Sequence, residues 1–224
     1  IRMLRTLLGS ERFMRGMTLF FKRHDGEAAT TEDFVAAIVD GASADGQSLG
    51  FDAEQFRLWY HQAGTPHVTV QSHWDGDAGR LSLTFKQATA PTPGQVEKHA
   101  LVIPVLWSVL GADGCPGEER LMVLDQQEKT VVLEGLPCMQ QPPVLSLFRR
   151  FSAPVTWDAG QTTDDLFALF AGDNDAFARW DAGQQLWKRL MLPRAAGTPV
   201  ASVEARMLDA LQQRSLTSRA ELAE

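Results

Sequence analysis

Cysteine and tyrosine are nearly missing from this sequence: two cysteines and one tyrosine in 224 residues. Two cysteines, Cys115 and Cys138, cannot build a disulfide framework, so a reducing compartment is the expectation. No apolar run reaches the roughly 18–20 residues that a membrane span requires. The first nine residues carry two arginines and no signal-type apolar core, so they do not read as a secretory leader. A basic excess is also lacking. Lysine plus arginine total 21 against 28 acidic residues, a formal charge of −7, which argues against a general nucleic-acid binder. The strong motifs of chemistry are missing too. There is no H-E-x-x-H or C-x-x-C for zinc, no G-x-S-x-G elbow, no phosphate-binding loop and no dinucleotide fingerprint. What remains, at 44% hydrophobic and 22% charged residues, is a globular composition.

The hydrophobic period changes twice along the chain. Residues 1–65 read as helices. Phe13, Met14, Met17, Phe20 and Phe21 make one stripe behind a possible cap at Ser10. Thr30 or Thr31 caps a second helix, with Glu32 and Asp33 in its first turn favouring the helix dipole. Gly41 to Gly50 reads as a loop. Asp52 caps a further helix, with Gln55 placed as in a capping box and Gly64-Thr65-Pro66 ending it.

Residues 66–157 alternate with period 2. Val68 and Val70 lead to the turn Asp75–Gly79, and Leu81, Leu83 and Phe85 follow. His99–Leu110 is the longest strand candidate, and Pro104 inside it predicts an edge strand or bulge. Further strands are predicted at Arg120–Asp125, Thr130–Glu134, Val144–Phe151 and Pro154–Trp157. About seven short strands suggest an antiparallel, Ig-like β-sandwich. Residues 158–224 return to helix. Thr163 or Asp164 starts one and Asp173 or Asn174 the next, which Pro193 and Gly197 break. A third is marked by Val200, Val203, Met207, Leu208 and Leu211, and Ser218 caps a fourth. The fold class is an α+β multidomain arrangement: helices, sandwich, helices.

Candidate chemistry is thin. His67 and His73, six apart, would share one face of a regular strand, but they read as two ordinary half-exposed histidines rather than a ligand pair. Cys115 sits in a Gly-Pro turn and Cys138 follows Pro137, and neither stands at a helix start that would lower its pKa. Glu118/Glu119 and Asp164/Asp165 read as solvated or dipole-favouring carboxylates. Lys188-Arg189 with Arg194 is too short a run for a nucleic-acid stripe. Trp59, Trp180 and Trp187 fall on apolar helix faces and read as core, and Trp74 and Trp107 as filling the sandwich.

Several blocks resemble one family. They are Met3-Leu4-Arg5-Thr6-Leu7-Leu8-Gly9, Phe13, Gly16-Met17, Phe20, Arg23-His24-Asp25-Gly26 and Ala28 through Phe34. The resemblance continues at Phe56-Arg57, Trp59-Tyr60, Gln62, Gly64-Thr65-Pro66, Val68 and Val70. It resumes at Ala88 through Gln95, Phe151-Ser152-Ala153-Pro154-Val155 and Asp175 through Ala182. These resemble the bacterial aminopeptidase N family, zinc metallo-aminopeptidases of the gluzincin type.

The resemblance implies that residues 1–65 are the last helices of a thermolysin-like catalytic domain. It makes 66–157 the β-sandwich that follows and 158–224 the start of a helical C-terminal domain. Ile1 and Glu224 both fall inside helical patterns, which fits a piece of a longer chain. The family's G-A-M-E-N and H-E-x-x-H motifs and its catalytic tyrosine match nothing here. Tyr60 falls in a different motif. No catalytic, cofactor-binding or metal residue is therefore assigned to any position. Zinc is expected in the parent and not in this segment. The expected partners are the parent's other domains and its peptide substrates, without nucleic acid or membrane, in the cytoplasm. The alternative is a stand-alone sandwich module that binds a protein partner.

Overall fold

The computed structural model describes residues 1–111, 114–197 and 203–211. Helix α1 spans Arg2–His24 and is interrupted at Gly9, whose φ of 75° is open to glycine at little cost. The interruption lies next to Ser10, so the stripe predicted from Phe13 onward occupies a second limb. Helix α2, Thr31–Ala42, opens on a reciprocal capping box. Thr30 Oγ1 accepts from Asp33 N, and Asp33 accepts from Thr30 N. These bonds hold the Asp33 carboxyl below its ordinary range. The expected loop from Gly41 begins later than predicted. Gly41 and Ala42 are buried inside α2, because Gly41 lies against Gly16 of α1. A Cβ on Gly41 would stand 2.5 Å from the Gly16 Cα, so the two glycines let the helices touch backbone to backbone. Helix α3, Ala53–His61, is capped by Asp52 through Glu54 N and Gln55 N. The Gln55 side chain does not close a capping box. It reaches instead to the carbonyls of Ala100 and Asp125.

Among the described residues seven strands follow: β1 Pro66–Asp75, β2 Arg80–Thr89, β3 Ile103–Leu110, β4 Arg120–Leu124, β5 Glu128–Leu133, β6 Val144–Leu147 and β7 Thr156–Asp158. One sheet has the order β5-β2-β1-β7 and the other β4-β3-β6. The β1–β2 hairpin closes at the predicted turn, where Ala78 N donates to Asp75 Oδ1 and Gly79 has φ of 59°. Its inner face is Val68, Val70, Leu81, Leu83 and Phe85. β1 pairs antiparallel with β2, β2 with β5 and β3 with β6, whereas β1 pairs parallel with β7. Pro104 lies in the middle strand of its sheet, not in an edge strand. It is tolerated because β6 pairs only with Trp107–Leu110 and leaves Pro104 without that neighbour. The predicted strand 144–151 stops at Leu147 and becomes a 3-10 turn, Arg149–Phe151.

Helix α4, Thr163–Gly172, is capped by Thr162 and Asp165 in a second reciprocal box. Helix α5, Ala176–Ala195, is capped by Asp175 rather than by Asp173 or Asn174. Pro193 does not end it. Proline sits in the last turn, where few hydrogen bonds remain to be lost, and the helix closes before Gly197 at φ 78°. Residues 203–211 are helical. Val200 and Ser218 lie outside the described residues.

The contacts divide the chain into two compact units. The first is 1–105, 121–142 and 152–160, and the second is 106–120, 143–151 and 161–224. One core of the first unit gathers Leu4, Leu8, Phe13, Ile38, Phe56 and Val102. One core of the second gathers Leu110, Leu166, Phe167, Leu169, Leu186 and Met207.

Candidate functional site

The densest polar chemistry in the first unit surrounds an extended segment that never becomes a strand. Residues 99–102, expected to open the longest strand, have their backbone groups taken by side chains. Gln62 Nε2 donates to His99 O at 3.1 Å, and His99 N donates to Gln62 Oε1 at 2.8 Å. Gln55 Nε2 donates to Ala100 O at 3.0 Å, and Trp59 Nε1 to Val102 O at 2.8 Å. From β2, the buried Gln87 donates to Leu101 O at 2.8 Å, Leu124 O at 3.2 Å and Gln126 O at 3.0 Å, and accepts from Leu101 N at 2.9 Å. Three side chains of α3 and its C-cap, with one from the sheet, thus tie helix to sandwich. Gln87 continues the inward alternation of Leu81, Leu83 and Phe85, which is why an amide lands in the core.

The second unit is built around Arg149. Arg149 is 4% exposed and Asp173 is 2% exposed. Arg149 Nη1 donates to Asp173 Oδ1 at 2.8 Å and to Ser146 Oγ at 2.9 Å, Nε to Glu119 at 2.9 Å, and Nη2 to Asn174 Oδ1. Asp173 also accepts from Ser146 Oγ and from Asp175 N. The carbonyl of Asp173 takes Arg179 Nη1. Glu119 therefore belongs to a buried ion cluster and is not the solvated loop acid expected. The flanking backbone is strained: Phe148, Arg150 and Phe151 have φ of 51°, 56° and 52°. Asp175 caps α5 and also accepts from Arg150 N. The cluster fixes the end of β6 to the α4–α5 corner.

The other residues singled out from the sequence fall apart as chemistry. His67 and His73 do share the exposed face of β1, but an offset of six strand positions sets them about 20 Å apart, too far for one ion. His67 Nδ1 instead faces Thr156 Oγ1 at 2.9 Å. His73 lines an open cleft of about 490 Å³ with Trp74, Asp75, Asp77, Cys138 and Met139. There the Cys138 thiol donates to the Asp77 carbonyl at 3.4 Å, which cannot take its proton. Trp74 is only half buried, its indole donating to Met139 O, while Trp107 is core as expected. Asp164 pairs with Arg206 and Asp165 caps α4. Arg189 donates to Thr163 Oγ1 and Gln161 O. Among the described residues no three His, Cys, Asp or Glu side chains form a group that could hold a metal ion. Also among the described residues, no helix is long and apolar enough to cross a membrane.

The sequence reading missed Arg149, Asp173 and Gln87. A signal existed only for Gln87, a polar residue at the next inward position of an alternating strand.

Each hub uses its polar groups internally, and within its own unit each joins helix to strand segments. The fold class is an α+β arrangement, helices with a largely antiparallel pair of sheets. Residues 64–160 match a family described as a domain of unknown function (DUF3458) with an Ig-like fold. Residues 163–223 match its companion (DUF3458_C), described as ARM repeats.

The chain belongs to the aminopeptidase N family. It is 43% identical to aminopeptidase N of Caulobacter vibrioides over 100% of its own length and 25% of that protein. It is 37% identical to aminopeptidase N of Escherichia coli over 83% of the chain and 21% of the relative. The crystal structure of Legionella pneumophila aminopeptidase A in complex with aspartic acid covers 95% of the chain at a TM-score of 0.76 and 27% identity. The chain covers 23% of that structure. The chain thus spans about a quarter of the length of the curated relatives it matches.

Proposed function

We propose that this chain is the connecting portion of a zinc-dependent aminopeptidase, a peptide hydrolase that removes N-terminal residues, and that it carries none of the catalytic or zinc-binding residues itself. Residues 1–65 would close the catalytic domain, 66–157 form the sandwich, and 158–224 begin the helical C-terminal domain. Its partners are then the other domains of the parent chain, the parent's substrates are peptides, and the location is cytoplasmic. The observation that carries the reading is 43% identity over the whole chain to a quarter of aminopeptidase N. Met14 and Phe21, seven residues apart on α1 and 55% and 57% exposed, fit a helix that meets further protein.

The test compares two proteins on aminoacyl-p-nitroanilides with added zinc. One is this chain alone. The other is a chimaera in which the chain replaces the matched quarter of the Caulobacter enzyme. The expected result is no turnover by the chain and retained turnover by the chimaera. Turnover by the chain alone, or a native product of only 24.7 kDa on an immunoblot, refutes the proposal.

A further inference from the structure

The turn that ends β6 has a backbone conformation its own residues do not favour. Phe148, Arg150 and Phe151 all lie in the left-handed region, at φ of 51°, 56° and 52°. None is glycine, asparagine or aspartate, the residues that enter that region most readily. Such a conformation lasts only where its surroundings impose it. Here they are three successive residues of the α4–α5 corner. Asp173 and Asn174 take Nη1 and Nη2 of Arg149, and Asp175 Oδ1 accepts from the Arg150 backbone N–H at 3.0 Å. Glu119 adds ion pairs to Arg149 Nε at 2.9 Å and to Arg150 Nη2 at 2.8 Å. The aromatic contact of the turn adds little burial. Phe151 leans on Phe177 at 5.2 Å but is 41% exposed. Farther along α5, Trp180 and Trp187 are 58% and 40% exposed and are not the core residues that their stripe predicts.

The two sides of this clasp are unequal. The corner is braced within itself. Asp175 N donates to Asp173 Oδ1, Ala178 N to Asp175 Oδ1 and Arg179 Nη1 to the Asp173 carbonyl, each at 2.8 Å. Those three bonds tie the corner to the first turn of α5 and do not involve residues 148–151. The corner is therefore the mould, and the turn is what it shapes. We propose that residues 148–151 are a latch: a strained, left-handed turn that the Asp173–Asp175 corner holds shut. Its release parts the corner from the end of β6 while β3 and the body of α5 stay folded. Opening relaxes three backbone torsions, which offsets part of the cost of breaking the cluster, so it needs less free energy than unfolding the whole unit. Water that enters the parted cluster solvates Arg149, Glu119 and Asp173 together, so no charge is stranded in a dry site. The latch is a property of this chain and does not depend on the proposed peptidase activity.

Thermal unfolding and hydrogen exchange test it, in the chain or, should the chain alone not fold, in the Caulobacter chimaera. Arg150→Gly and Arg150→Ala remove the same ion pair to Glu119, so their difference reads the backbone alone. Glycine is ordinarily the less stable of the two, but here Arg150→Gly is expected to melt about 2–6 °C above Arg150→Ala. Hydrogen exchange read by mass spectrometry follows the opening itself. Exchange at 148–151 and 174–178 is expected to be about tenfold slower in Arg150→Gly than in Arg150→Ala, because relieving the strain favours the shut latch. Asp173→Asn is expected to speed exchange in both segments together by about tenfold or more, with the amides of β3 changed less than about twofold. A glycine variant that melts at or below the alanine variant shows an unstrained turn and overturns the proposal. So does exchange in Asp173→Asn that rises equally in β3, because the cluster then supports the whole unit and no separate opening exists. Should Asp173→Asn not fold, the unaltered protein is exchanged in urea below its unfolding transition. A shared opening of the two segments with a urea slope well under the global one supports the latch, and opening only with the whole unit overturns it.

Discussion

Removing Asp173 or Arg149 should unfold the second unit at far lower denaturant than any surface change. Side-chain exposure is 5% for Arg149 and 0% for Asp173, so the pair sits away from water. Taking one partner from a buried ion pair strands the other charge and costs about 3–5 kcal/mol. The two halves are not equivalent. Without Asp173, Arg149 keeps Glu119 at 2.9 Å, so Asp173→Ala belongs near the lower end, about 3 kcal/mol. Without Arg149, the carboxylate of Asp173 is left with the Ser146 hydroxyl and the Asp175 amide, neither of them charged. Arg149→Met therefore belongs nearer about 4–5 kcal/mol. Arg149→Lys keeps the charge but not the fork that reaches Glu119, Ser146, Asp173 and Asn174 together, and should cost about 2 kcal/mol. The double variant Arg149→Met with Asp173→Leu should cost less than the sum of its parts by at least about 1.5 kcal/mol, because neither charge is left stranded. The assay is urea unfolding followed by tryptophan fluorescence and by circular dichroism, with midpoints compared at unchanged slope. Single variants costing under about 1 kcal/mol, or strictly additive ones, would refute the argument that this cluster is a desolvated, coupled unit.

The Gly16–Gly41 contact predicts a reversal of sign. Alanine normally gains about 1 kcal/mol over glycine inside a helix, but a Cβ at Gly16 would lie 2.6 Å from the Ile38 Cα. Gly16→Ala and Gly41→Ala should each cost about 1–3 kcal/mol in thermal unfolding, and a gain would mean the helices are free to part. Gln87→Leu keeps the volume but abandons the Leu101 amide and three carbonyls, and should cost about 3 kcal/mol by urea midpoint. A loss near zero would show that water takes over those groups. Burial raises the Asp181 carboxyl above its ordinary 3.8, against the smaller opposing effect of the Gln185 amide. An acid with a raised folded pKa destabilises the fold once ionised: stability falls as pH rises from 3.8 to the folded value, and the deficit persists above it. Asp181→Asn should accordingly raise the midpoint at neutral pH and lose that advantage in acid, so equal gains at both pH values would contradict the burial argument.

Much of the local structure is legible residue by residue. Thr30 and Asp52 open their helices by accepting backbone N–H bonds from two or three residues on, and α4 starts at the predicted Thr163, capped by the residue before it. The Asp75–Gly79 turn and the alternation of Leu81, Leu83 and Phe85 place a hairpin and its buried face. The order of helices, short strands and helices follows from the two changes of hydrophobic period. The absence of known catalytic spacings is also a property of the string alone. All of these depend on bonds or periods within a few residues, which the sequence states directly.

The tertiary structure decided the rest, wherever a group's partner is distant in sequence. Gly41 reads as a loop until Gly16, 25 residues earlier, gives it a reason to stay helical. Residues 99–102 read as strand because alternation cannot show that Gln55, Trp59, Gln62 and Gln87 will take their backbone groups first. Arg149 looks like one more surface cation until Glu119 and Asp173 close on it from opposite sides along the chain. Trp180 and Trp187 share a helix with two apolar stripes, and the stripe of small residues won the inner face because it lets α5 approach α4 closely, as where Gly183 meets the Phe170 ring. Composition and period fix which residues can be buried, but only the packing of one element on another chooses among them.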